Sequence, residues 1–142
     1  MKLSFVAALA VALAAGTAQA NDANCRPNPA RTVDAFETAK DALLRGEFDR
    51  FLATVQPFGN RSDPDRMRAA QRFSNTFPNG FRECASVVFR SEAPGLFQEI
   101  VLYDTGGPPL ALYLRGARFR RDIIIIDFAL SDRATEVIDL LE

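Results

Sequence analysis

Leu110-Ala111-Leu112-Tyr113-Leu114-Arg115-Gly116-Ala117-Arg118-Phe119 and, after two arginines, Asp122-Ile123-Ile124-Ile125-Ile126-Asp127-Phe128-Ala129-Leu130 form the stretch that decides the fold. Leu110, Leu112 and Leu114 alternate with other residues, so a strand over 110–115 presents them on one face. Beyond Gly116 the apolar residues fall at Ala117 and Phe119, the opposite parity, which predicts a bulge or bend at the glycine. The run Ile123 to Ile126 is apolar on both faces and is expected in the middle of a sheet, because an exposed run of this kind aggregates.

Working outward, Cys84 to Arg90 and Leu96 to Asp104 read as two more strands, separated by Pro94-Gly95 and rich in Val, Phe and Leu. Thr105 to Pro109 is a turn into the strand at Leu110. Ser131 caps a final helix carrying Val137, Leu140 and Leu141, with an edge strand over 131–142 as the alternative.

Upstream of the Pro78-Asn79-Gly80 turn the period is helical. Thr32 stands at an N-cap position, with Asp34 and Glu37 where the helix dipole favours negative charge. Val33, Phe36, Leu43 and Leu44 form an apolar stripe, and Gly46 suits the residue just past the helix end. Phe48, Phe51, Leu52 and Val55 make a second helical face, closed by Pro57 and Gly59. Ser62 and Pro64 open a third helix, with Met67, Ala70 and Phe73 inward. Helices precede strands, so the fold class is α+β: N-terminal helices packed on a curved, mainly antiparallel sheet of at least four strands.

The N-terminus has a different character. Lys2 precedes an alanine-rich apolar run to Gly16, and Ala18-Gln19-Ala20 matches the small-x-small site of a secretory signal. The run is shorter than the roughly 20 residues that span a bilayer. The expected organisation is a cleavable signal over 1–20, an extended segment over 21–31, and one α+β domain over 32–142. Localisation is then periplasmic or secreted, in a bacterial setting, with no membrane anchor after cleavage; the sequon at Asn60 is set aside on that ground.

Removing residues 1–20 from 142 leaves 122, in which 16 bases face 18 acids. The net charge of −2 offers no electrostatic case for a nucleic-acid partner or an anionic membrane. Fifteen of the bases are Arg, and Lys40 is the one lysine after Lys2. Histidine is absent, which excludes Ser-His-Asp and Cys-His catalysis and His-ligated metal. No metal ligand set is evident and no cofactor is implied, since glycine-rich phosphate loops are missing as well. Cys25 and Cys84, an even count in an exported chain, are expected to form a disulfide rather than a redox pair.

Ala42-Leu43-Leu44-Arg45-Gly46-Glu47-Phe48-Asp49-Arg50-Phe51-Leu52 resembles the opening of the NTF2-like, cystatin-related cone superfamily: a helix, a Gly-acid-aromatic-acid step, then a second helix. The order of elements fits over about residues 32 to 130. The resemblance implies a conical sheet whose concave side, covered by a long helix, can enclose a pocket. Its members include isomerases, dehydratases, hydrolases and binding domains, so the fold chooses no activity. The His-Asp pair of some members has no counterpart here.

Glu99, Tyr103, Tyr113, Arg115 and Asp127 are polar groups within apolar strands, and they are the candidate ligand-binding residues; no catalytic residue is assigned. Glu99 and Tyr103 share one parity, as do Tyr113 and Arg115 on their strand. An acid, phenols and a guanidinium converging on the concave side would suit proton abstraction or hydration. A one-sided sheet with these side chains in solvent alternates in the same way. Asp127 fits a strand edge or an arginine pair as well as a functional acid. Arg115, Arg118, Arg120 and Arg121 could bind phosphate or an acidic partner, but they divide between faces and better suit a solvated edge that resists strand pairing. The expected function is an exported, non-catalytic binding or interaction domain for an unknown small molecule or protein. The alternatives are a small lyase, isomerase or hydrolase built on a carboxylate-tyrosine pocket, and a structural homodimer.

Overall fold

The computed structural model describes Cys25 and residues 32–56 and 64–141. The signal segment, most of the segment 21–31, the Pro57/Gly59 helix end, the Asn60 sequon and the Ser62 cap lie outside the described residues.

Three helices come first: α1 (Asp34–Leu44), α2 (Phe48–Val55) and α3 (Pro64–Thr76). The N-cap of α1 is Val33 rather than Thr32, and no side chain caps it. The extended Val33 backbone lets its carbonyl accept from Phe36 and Glu37 N–H, while its side chain is buried. Core burial of that valine decides where the helix starts. At the other end Gly46 has φ +74°, its N–H donates to Leu43 O, and Glu47 N–H donates to Ala42 O. That bond pair is a Schellman cap.

The strands are β1 (Cys84–Ala93), β2 (Leu96–Tyr103), β3 (Leu110–Phe119) and β4 (Asp122–Ser131), and α4 (Ala134–Ile138) ends the order. The sheet is an antiparallel meander, β1-β2-β3-β4, open at both sides. The α+β expectation holds at this level, and the final element is a short helix rather than an edge strand. Its N-cap is Arg133, not Ser131, whose hydroxyl accepts from Arg133 N–H.

Of the two expectations about the deciding stretch, the first holds in its position and the second is corrected. The register irregularity falls between Arg115 and Gly116, with the extra residue, Ile126, on β4, since Arg115 pairs with Asp127 while Gly116 pairs with Ile125. The glycine also makes room for a ring: a Cβ there would stand 2.8 Å from Phe36 Cε1. The isoleucine run, expected mid-sheet, is on edge strand β4. Ile123 and Ile125 pack toward the helices, while the bulged Ile126 is 52% exposed. Packing of α1, α2 and α3 against β4 supplies the cover that a further strand would have given.

The helix-covered face holds the main core: Phe36 and Leu43 of α1, Phe51 of α2, Val101 of β2, Leu112 and Leu114 of β3, Ile125 and Phe128 of β4. Phe51 and Phe128 meet edge-on, 5.8 Å between centroids. The outer face has a smaller cluster of Ile100, Ala111 and Tyr113 under Val137 of α4. The disulfide Cys25–Cys84 forms, with Cα atoms 4.9 Å apart, inside the range such bonds require. Beside it, Ser86 N–H donates to Cys25 O.

Candidate functional site

The five strand-borne candidates do not form one cluster. Glu99 and Tyr103 lie on the helix-covered face with the main core, as their shared parity predicts. Tyr113, Arg115 and Asp127 lie on the opposite face.

Sequence reasoning missed the residue that organises the first group. Lys40 occupies the apolar stripe of α1 between Phe36 and Leu43, and it is buried. Its Nζ donates to Glu99 Oε1 at 2.7 Å and sits 2.7 Å from Glu37 Oε1, one turn earlier on the same helix. Its carbonyl accepts from the Tyr103 hydroxyl at 3.2 Å. Lys40 therefore ties β2 to α1 at both ends. Burial pushes the Glu99 carboxyl above its ordinary range, and the Lys40 ammonium opposes that shift without cancelling it. Burial, then the charge of Glu99, holds the Tyr103 phenol well above its usual value, so it stays a donor. Lys40 and Glu99 are each 1% exposed, so no solute meets them in this conformation. The signal was present in the chain: a lone lysine among arginines, at a core position of the first helix.

On the outer face, Gln98, Arg115 and Asp127 stand in register across three strands. Gln98 is fully buried, and both polar atoms of its amide lack a hydrogen bond, as does the buried Arg115 Nε. Arg90, paired with Gln98 on β1, donates to Leu141 O at 3.0 Å, which ties the C-terminal segment to this row. Asp127 Oδ1 accepts from Phe128 N–H. Tyr113 is buried in the cluster under α4 rather than solvent-facing.

Solvent reaches a different place. A cleft of about 480 Å³ opens between the last turns of α3, the β2–β3 turn and the end of β4. Phe73, Phe77, Pro108 and Leu110 supply its apolar lining, and Arg72, Thr76, Thr105, Asp132 and Arg133 its polar one. The Phe77 ring rests on Phe81, 4.9 Å between centroids, and Phe81 rests on Tyr103, so the floor is braced by the core. Arg133 Nη1 pairs with Glu136 at 3.2 Å, whereas the Arg72 guanidinium has no ion pair among the described residues. Among the described residues no group of three or more acidic or Cys side chains is placed to hold a metal, and no helix is long and apolar enough to cross a membrane. The cleft is built by α3, whose polar sequence leaves most of the helix exposed, and by turn residues 105–109. Neither carries a signal that strand parity could detect. No family model, curated protein or solved structure matches the chain.

Proposed function

We propose that the chain is an exported, non-catalytic binding domain of the NTF2-like cone type, and that its ligand sits in the cleft beside α3. One observation carries this reading. Glu99 and Tyr103, the acid and phenol on which catalysis would draw, are locked in the core against Lys40, while a solvent-accessible cleft combines an apolar floor with guanidinium groups. Such a lining suits recognition: apolar surface for affinity and a few polar groups for orientation. The helices-then-meander order and the Gly46 step support the cone family, and the Cys25–Cys84 bridge is compatible with the oxidising compartment that the 1–20 segment addresses.

Native mass spectrometry of protein purified gently from a periplasmic extract tests the function, and a co-purifying small mass is expected. Turnover of a substrate that disappears in Glu99→Gln or Asp127→Asn at unchanged thermal stability would sink the non-catalytic reading. N-terminal sequencing of the same sample is expected to begin at Asn21. A homodimer is the second reading, supported by Phe119 and Ile126 exposed on the β3–β4 side of the sheet. Light scattering that shows only monomer at micromolar concentration removes it.

A further inference from the structure

We infer that the cleft selects small amphipathic anions, a carboxylate or similar oxyanion on Arg72 with an apolar body on Phe73 and Phe77. This rests on the cleft being the ligand seat and adds the chemical class of the ligand.

The polar groups of the lining are not equivalent. Thr76 Oγ1 donates to Arg72 O at 2.9 Å, inside its own helix. Thr105 Oγ1 donates to Pro108 O and accepts from Gly107 N–H, which closes the turn. Both hydroxyls are committed to the backbone. Arg133 is engaged by Glu136. Arg72 is left with its fork of donors directed by no anion among the described residues, at the rim of an apolar floor. A guanidinium in that position prefers a planar oxyanion, which it can take with two parallel hydrogen bonds.

Arg133 is offset by Glu136, so the guanidinium of the lining without an ion pair among the described residues is that of Arg72. The apolar part is prepared in advance. Leu110 is buried beneath the floor at the start of β3, and the half-buried Phe77 is held by Phe81, so a ring or short alkyl chain meets a braced surface. About 480 Å³ is within the size of ordinary small-molecule sites.

The test uses the disulfide-intact mature protein and amide NMR titrations with 3-phenylpropionate, its neutral amide, and acetate. The carboxylate is expected to shift the Thr76, Phe77, Thr105 and Leu110 amides saturably, with a Kd of about 1 mM or tighter. The neutral amide should bind at least about fivefold more weakly, and acetate should leave these signals unmoved. Arg72→Gln, an exposed change, should erase the preference for the carboxylate while the ring still binds. Equal binding of acid and amide, or an unchanged preference in Arg72→Gln, overturns the anion class and leaves the cleft as the seat. Silence of the cleft amides toward all three probes also overturns the class. The cleft reading then falls separately if a co-purifying ligand, on removal, perturbs amides elsewhere and not these.

Discussion

Lys40 puts a charge into an apolar stripe, and the chain accommodates it by surrounding the ammonium with Glu99 and Glu37. Lys40→Met strands the Glu99 carboxylate in the core and is expected to cost about 3–5 kcal/mol at neutral pH, read by urea unfolding. Most of that loss should return in Lys40→Met/Glu99→Gln, because the neutral pair leaves no buried charge. If the single variant proves neutral, the pair does not matter to the fold. The pH dependence follows from the same cause. Because the folded Glu99 pKa lies above its ordinary 4.5, the native chain holds that proton more tightly than the unfolded chain. Its contribution to stability is present below 4.5 and lost as pH rises through the raised folded value. Wild type should therefore lose stability relative to Glu99→Gln as pH rises above 4.5; a difference that is constant or of opposite sign contradicts the buried carboxyl. Gln98 gives the complementary case. Its amide is buried without partners, so Gln98→Met is expected to gain about 1 kcal/mol or more, and a loss of stability would show that the amide is bonded in solution.

At the scale of elements, the contact between the end of α1 and the turn before β1 governs how helices meet sheet. Gly46 and Gly80 both have positive φ, and their backbones touch: a Cβ on Gly80 would lie 2.1 Å from Leu44 O and 2.5 Å from Gly46 N. Phe81 N–H donates to the same Leu44 carbonyl at 2.8 Å, which satisfies an orphan acceptor of the helix end. Gly80→Ala should cost more than about 2 kcal/mol, left-handed strain plus separation of the two backbones, and a denaturation midpoint near wild type refutes the interlock. Much of this level was legible in the chain. Helical spacing in 48–55, glycine at 46 and alternation in 110–114 each follow from one local rule, and the structure obeys them. The misreadings share a cause. Where Thr32 gave way to Val33, and where the isoleucines went to an edge, the deciding term was burial against a distant element. The same holds for the candidate residues. Parity placed Glu99 with Tyr103, but it could not show that Lys40 faces them from 59 residues away, nor that α3 and the 105–109 turn form a cleft.

For the whole molecule, the Cys25–Cys84 bridge fastens the chain ahead of the helices to the first strand, across 59 residues of sequence. Constraint of the unfolded chain by such a loop amounts to roughly 4 kcal/mol, so reduction should lower stability by about 2–4 kcal/mol in urea unfolding with and without thiol. No change on reduction would mean that the bridge is dispensable. The architecture also separates two kinds of polar group. Those on the helix-covered face hold the layers together, and those at the α3 end face solvent beside an apolar floor. That separation is the basis for the proposal that the protein is a binder, and it makes Arg72, not Glu99, the residue on which the proposed binding depends. The most direct test is native mass spectrometry of wild type and Arg72→Gln, each purified gently from the native host. The account predicts a small-molecule adduct on wild type that is depleted at least about fivefold on Arg72→Gln. An adduct retained in full by Arg72→Gln, or a wild-type protein with no adduct at all, would contradict it.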